Sequence, residues 1–414
     1  MTTLSRPPAP TLRPSLQGFF QKTGFDPRFT SMLLVLLAVW VGLALMTEGT
    51  FLSPRNLYNL SIQTCVTGVM ACGMVFLIVA RQIDLSVGSL LAFSGMLIAY
   101  TQVVLFPPEA GWGWPLSIVA GLAGGLLVGA FQGWWVAYRQ VPAFVVTLAG
   151  YLMYRGAAFL VADGQTLAPL APDYQLLGGG LSGAIGPLWS SLLGLLACVF
   201  VVWQRVQVRR SRTAYGAEQL ALWADGLRVL LQCGAIIGFV WVMNSYTAFN
   251  AQQERVGKGI AVPVLILIAV ALAMSFVATR TRFGRYVFAM GGNPDAALLS
   301  GIPTLRVMLT LFMLMGALAA LAAVITTARL NAGANSIGQM AELYVIAAAV
   351  IGGTSLAGGV GSIAGSVVGA LLIQSLDNGM VLMDVSSAKR QICIGLVLIG
   401  AVWFDVVYNR RSSR

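Results

Sequence analysis

Two stretches of the chain set hydroxyl, amide and carboxyl side chains among glycines inside otherwise apolar surroundings: QIDLSVGSLLAFSG from Gln82 to Gly95, and GGTSLAGGVGSIAGS from Gly352 to Ser366. Such groups can exchange hydrogen bonds with a polar solute, and Asp84, Ser86, Gly88, Thr354, Ser355 and Gly361 are the candidates to line its path. The same side chains can instead satisfy backbone groups freed where a helix is interrupted. Bond-breaking chemistry has little to work with. The chain has no histidine, which removes the commonest general base and metal ligand, and no catalytic residue, metal site or cofactor is expected. The 14 acidic residues are thinly spread. Asp84, Glu342 and Asp377 lie nearest the apolar runs, and no two form an evident intramembrane pair of the kind that proton- or sodium-coupled carriers use. RVGKGI, from Arg255 to Ile260, has a Gly-Lys step but neither the upstream glycine nor the Ser or Thr of a phosphate-binding loop. The chain is not expected to hydrolyse ATP alone.

The elements that must hold these residues are set by composition. Over 414 residues the chain is 58% hydrophobic and 9% charged, with a mean hydropathy of +0.83, far from the roughly 25% charged of soluble domains. It reads as all-α, a polytopic helical membrane protein, because several apolar runs reach the roughly 20 residues that cross about 30 Å of hydrocarbon as helix. Spans are expected near 31–46, 63–79, 85–105, 115–137, 143–162, 186–203, 223–245, 262–279, 305–326, 341–356, 361–377 and 391–408, about 12 in all.

The net charge of +11 is dispersed in short clusters at Arg205 to Arg212, Arg280 to Arg285 and Arg410 to Arg414, with Arg6, Arg13, Lys22 and Arg28 near the start. That pattern orients spans and does not point to nucleic acid. An even count with basic ends places both termini in the cytoplasm, together with the loops near 205–222 and 280–304. Lys389 and Arg390 fall in a loop that this count puts outside. Residues 1–30, with Pro7, Pro8, Pro10 and Pro14, read as a disordered cytoplasmic tail; 31–408 form the membrane domain and 409–414 a second tail.

Many of the 47 glycines sit inside spans, as at Gly121, Gly124, Gly125 and Gly129 or Gly361, Gly365 and Gly369. Such spacing lets helix backbones approach. The five cysteines, Cys65, Cys72, Cys198, Cys233 and Cys393, have no C-x-x-C spacing and read as small core residues.

One loop stands apart. RTRFGRYVFAMGGNPDAALLSGIP, from Arg280 to Pro303, is basic and therefore cytoplasmic, yet it contains a short helix signal. Asn293 can cap a helix whose first residue is Pro294, Asp295 suits the first turn, and Gly301 stops it. A small-surfaced helix in water gains little from its own protein. A partner's groove explains it, beside the plainer alternative of a well-capped loop.

At this point the sequence resembles the permeases of bacterial ABC sugar importers, the group with ribose, galactose, arabinose and xylose systems. The motifs that carry the resemblance are IDLSVGS from Ile83, VPAFVVTLAGYLMYRG from Val141, GGNPDAALLSGI from Gly291 and GGTSLAGGVGSIAGS from Gly352, together covering most of Phe51 to Phe404. The resemblance implies a non-enzymatic inner-membrane subunit working as a homodimer. Its partners would be an ABC ATP-binding subunit inside, a periplasmic sugar-binding protein outside and a monosaccharide cargo. It also implies that Gly291, Gly292, Asn293, Pro294, Asp295, Ala296, Ala297, Leu298, Ser300, Gly301 and Ile302 form the coupling helix that docks in the ATPase. An extra helix pair over 187–246, GWWVAYRQVPAF from Gly133 and SLDNGMVLMDV from Ser375 resemble xylose-transporting members, so D-xylose is the expected cargo, with ribose, galactose or arabinose as alternatives. A secondary carrier or facilitator and a membrane-embedded enzyme are the other readings. The chain departs from the family's pattern at Leu298, where a basic residue is frequent, and at Arg81 and Gln82, where small residues are common.

Overall fold

A computed structural model describes residues 26–107, 111–180, 183–216, 221–249 and 255–412; most of the tail expected at 1–30 lies outside them. The helices in chain order are α1 (Pro27–Met46), α2 (Pro54–Val79), α3 (Val87–Tyr100), α4 (Gly113–Ala137), α5 (Ala143–Leu160), the single turn α6 (Pro172–Gln175), α7 (Gly186–Ala214) and α8 (Leu222–Ser245). After a hairpin of β1 (Thr247–Phe249) and β2 (Arg255–Gly257) come α9 (Val262–Arg280), α10 (Arg282–Gly292), α11 (Pro294–Leu299), α12 (Thr304–Leu330), α13 (Ala341–Ile351), α14 (Ile363–Leu382) and α15 (Ser387–Ser412). Among the described residues ten helices are long and apolar enough to cross a membrane.

Of the other two expected spans, 341–356 is the eleven-residue α13, and 391–408 lies within the twenty-six-residue α15. The α2 helix starts nine residues before its expected span. Ser53 caps it, Pro54 occupies its first turn, and the polar Asn56 that depresses local hydropathy is buried, with its amide donating to Phe51 O at 2.8 Å and Asn378 Oδ1 at 2.9 Å. The α7 helix outruns its apolar stretch because the Arg-rich continuation stays helical to Ala214.

Two segments of the same design run in opposite directions. The long α2 ends at Arg81, in the left-handed conformation at φ +61°, and a loop over 80–86 turns back into the bundle to start α3. The long α12 ends at Asn331, at φ +53°, and a loop over 331–340 turns back to start α13. The second loop passes along α3: Gly333 abuts Gly95 and Ala99, and Gly338 abuts Gly88. Backbone can leave the helical state inside a membrane only where protein surrounds it: Asp84, Ser86, Gly333 and Ile337 of these loops are buried, whereas Arg81, Ser336 and Gln339 are exposed.

Glycines set the closest helix crossings. A Cβ on Gly125 or Gly129 of α4 would collide with the backbone of α12 at Gly316 and Phe312, and one on Gly365 or Gly369 of α14 with Gly352 and Ala348. The packing role expected of these positions is therefore met by backbone contact. Of the cysteines, Cys65 and Cys72 are buried, Cys198 and Cys233 partly so, and Cys393 is exposed; it lies on the uncovered side of α15 and is not a core residue.

Candidate functional site

The α11 helix forms as its sequence dictates. Asn293 is extended, its Oδ1 accepts from Ala296 N at 3.0 Å, and Pro294 fills the first helical position, where no N–H is needed. Ser300 Oγ donates to Ala296 O at 2.7 Å, and Gly301 at φ +76° reverses the chain. Pro294, Asp295, Ala296, Leu298 and Ser300 are exposed, whereas Ala297 and Gly291 are buried. Ala297, expected to dock in a partner, is instead packed into the chain's own core, with 4% of its surface exposed. A six-residue helix shows no periodicity from which that could be read. The most exposed large hydrophobic side chain of this helix is Leu299, at 88%, which sequence reasoning passed over.

Behind α11 lies a junction of three segments. Arg81 Nε donates to Gly291 O at 2.8 Å and its Nη2 to Gly292 O at 3.1 Å. Gly359 N donates to Val79 O at 2.9 Å. Gly291 packs so closely on Val79 O and Gly359 N that no Cβ fits. The residues leading into α11 are therefore bonded to the end of α2 and to the loop over 352–361. Arg81, noted in the sequence only as a departure from a pattern, is the tie.

The six residues expected on a substrate path fall into two groups. Thr354, Ser355 and Gly361 belong to the junction: Thr354 N donates to Ala349 O, Ser355 N to Val360 O, both at 3.0 Å, and Gly361 packs on Val75 and Val79. Asp84, Ser86 and Gly88 lie further along the loop, where α3 begins. Asp84 Oδ1 accepts from Ser86 N at 2.8 Å and Ser86 Oγ at 2.6 Å, and Ser86 Oγ accepts from Gln132 Nε2 on α4 at 2.6 Å. Gly88 leaves room for Gly338 O and the Glu342 carboxylate. Arg155 of α5 donates to Asn335 O and Ile337 O at 2.7 and 2.8 Å, fixing the opposing loop.

Two short helices thus present their N-termini to the same buried region, each with a carboxylate beside it: Asp84 just before α3 and Glu342 in the first turn of α13. Helix N-termini favour negative charge, which accounts for acids at this depth. Asp84 and Glu342, 258 positions apart in sequence, are brought to one buried region by the return loops, since Gly88, four residues after Asp84, packs on the Glu342 carboxylate; the sequence alone shows no two acids together. Among the described residues Asp84 Oδ2, Gln132 Oε1, Tyr154 OH and Glu342 Oε2 are buried with no hydrogen bond of good geometry, Tyr154 lying beside the Gln132 amide. A buried polar group left so costs about 1–3 kcal/mol, and the hydroxyl groups of water or a polyol are partners of the kind these atoms lack. Gln132, Tyr154, Arg155 and Glu342 were not anticipated as site residues.

A bundle of membrane-crossing helices with two return loops meeting at a buried polar site is the architecture of a membrane permease. The chain belongs to the permease family described as branched-chain amino acid transport system / permease component, whose model matches residues 56–402. It is 42% identical over 399 residues to the xylose transport system permease protein of Escherichia coli strain K12, covering 96% of this chain and 97% of that one. It is 43% identical to the protein of the same description from Haemophilus influenzae, over 92% and 96% of the two chains. It is 29% identical to the ribose import permease protein of Bacillus subtilis, over 94% of each. No solved structure matches the chain.

Proposed function

We propose that the chain is the membrane-spanning subunit of an ATP-driven ABC importer that carries a monosaccharide, D-xylose, across the bacterial inner membrane, with ATP hydrolysis supplied by a separate subunit. Family membership and the two xylose permeases that match nearly end to end support the transport role and the sugar. The observation that carries the coupling mechanism is α11, held by its cap and by Arg81 yet exposing Leu298 and Leu299.

In this reading α11 docks in the ATP-binding subunit, and a periplasmic sugar-binding protein delivers cargo at the opposite end of a homodimer. The arginines at 205–212 and 280–285 lie at the α11 end, which supports a cytoplasmic position for it and for both termini. Arg390, at the other end, is paired with Asp377 at 3.0 Å, which removes its weight from the topology signal. When the ATPase closes, displacement of α11 passes through Gly291 and Gly292 to Arg81, along the loop over 80–86, and moves the Asp84–Ser86 turn that starts α3. The polar region between Asp84 and Glu342 then changes its access.

The two buried carboxylates, Asp84 and Glu342, are the feature that favours a secondary carrier. Reconstitution separates the two readings. With its ATPase and binding protein, the purified chain is expected to show xylose-stimulated ATP hydrolysis and uptake, less so with ribose or arabinose. Robust uptake by the chain alone, driven by an ion gradient, would overturn the importer reading.

A further inference from the structure

The paired helices α7 and α8 stand at the edge of the bundle, and one end of their seam is strongly basic. Between residues 205 and 228 the sequence carries five arginines against Glu218 and Asp225, a net of +3. Arg205, Arg209 and Arg212, at i, i+4 and i+7, share the inward face of α7 and are half-buried, while the residues between them are exposed. Across the seam on α8, Arg228 is 8% exposed and within electrostatic reach of both Arg205 and Arg212. Arg209 reaches Asp225 at 3.3 Å. Neither Arg205 nor Arg212 makes an ion pair among the described residues.

Orienting a helix across a membrane asks only for exposed basic residues near its end. It does not ask that like charges be drawn together into a helix seam, where Asp225 answers Arg209 while the half-buried Arg205 and Arg212 face the same seam without an acidic partner among the described residues, an arrangement that an added anion stabilises. The surroundings identify the anion. From Gly186 to Trp203 the apolar part of α7 is 18 residues, about 27 Å of helix, so Arg205 begins where about 30 Å of hydrocarbon gives way to headgroups. Trp203, two residues before Arg205, and Trp223, two residues before the Asp225 that pairs with Arg209, are exposed, as interfacial aromatics are. Along the hydrocarbon part, Leu195, Leu196, Val199 and Phe200 are exposed to acyl chains.

From this geometry we infer that the Arg205–Arg209–Arg212–Arg228 seam binds the phosphate headgroup of an anionic phospholipid, whose acyl chains lie against α7. Arginine is suited to the task because its planar guanidinium takes phosphate oxygens two at a time. The inference rests on the chain spanning a membrane and not on its cargo.

The test uses the full chain, delipidated in a neutral detergent. Dioleoyl phosphatidylglycerol is titrated against dioleoyl phosphatidylcholine, with retained lipid counted by native mass spectrometry and inorganic phosphate added in a separate arm. Phosphatidylglycerol is expected to be retained selectively, and Arg205→Gln combined with Arg212→Gln to lower that retention about thirtyfold. Arg280→Gln combined with Arg282→Gln, basic residues away from the seam, should leave it within about twofold of the wild type. Where the first pair does not yield monodisperse protein, Arg212→Gln alone, near the end of α7, is expected to lower retention about fivefold. Equal losses from both pairs would mean a general attraction to positive surface and would overturn the site. Full competition by inorganic phosphate would assign the seam to a soluble anion. Unchanged lipid retention with lost ATPase binding would assign it to a protein partner; either result contradicts the lipid assignment.

Discussion

The α2 and α7 helices are of nearly equal hydropathy, yet 89% of the most apolar window of α2 is buried inside the protein and 11% of that of α7. What separates them is side-chain size and polarity. The α2 helix places Gly68 against Leu267 and Gly73 against Met315 and Leu318, and buries Thr64 and Thr67 with hydrogen-bond partners. On α7 the residues buried are Ser190 and Gly194, and leucine, valine and phenylalanine face outward. In a membrane, apolarity says that a helix is out of water. Small and paired polar residues say that protein covers it.

The largest expected effects test the covered side. Gly316→Leu drives a side chain into the Gly125 carbonyl and should cost about 3 kcal/mol, read as collapse of the monodisperse peak in size-exclusion chromatography. Next comes the buried turn. Asp84→Leu removes the acceptor of two Ser86 bonds, and sugar uptake should fall about tenfold, while Asp84→Asn keeps one acceptor oxygen and should lose less; both should still bind the ATPase. Equal uptake by all three forms would remove Asp84 from the path. Smaller again, Arg81→Ala should lower sugar-stimulated ATP hydrolysis about fivefold with ATPase co-purification intact, since two charge-assisted bonds to the α11 lead-in are lost. The smallest effect belongs to the uncovered side: Leu195→Ala should change thermal stability by no more than about 0.5 kcal/mol. A loss like that of Gly316→Leu would mean that α7 packs on an unseen partner.

What the sequence revealed follows the range of the interactions. The Asn293–Pro294 start and Gly301 stop of α11 are local, made within ten residues, and were legible. So were the glycine crossings, because close approach demands the same residue type wherever the partner lies. The start of α2 was missed because Asn56 looks like a membrane boundary until Asn378 is placed beside it. The shortness of α13 was hidden because hydropathy does not distinguish an apolar helix from an apolar loop such as Gly352 to Gly361. The meeting of Asp84, Gln132, Tyr154 and Glu342 depends on four elements far apart in sequence, and no spacing within any one of them encodes it. The inward turn of Ala297 is set by how α11 sits on α10, which six residues cannot disclose.

The central claim is that α11 is the point of contact with the ATPase, and its outward residue provides the most direct test. Leu299→Asp changes a side chain that is 88% exposed, so the permease should fold as before, whereas the inward Ala297→Glu should damage the permease itself. The measurement is co-purification of the ATP-binding subunit with detergent-solubilised, monodisperse Leu299→Asp protein. The account predicts loss of the ATPase from the complex, because a carboxylate buried at an interface costs several kcal/mol unless paired. Full co-purification, with sugar-stimulated ATP hydrolysis unchanged, would contradict it.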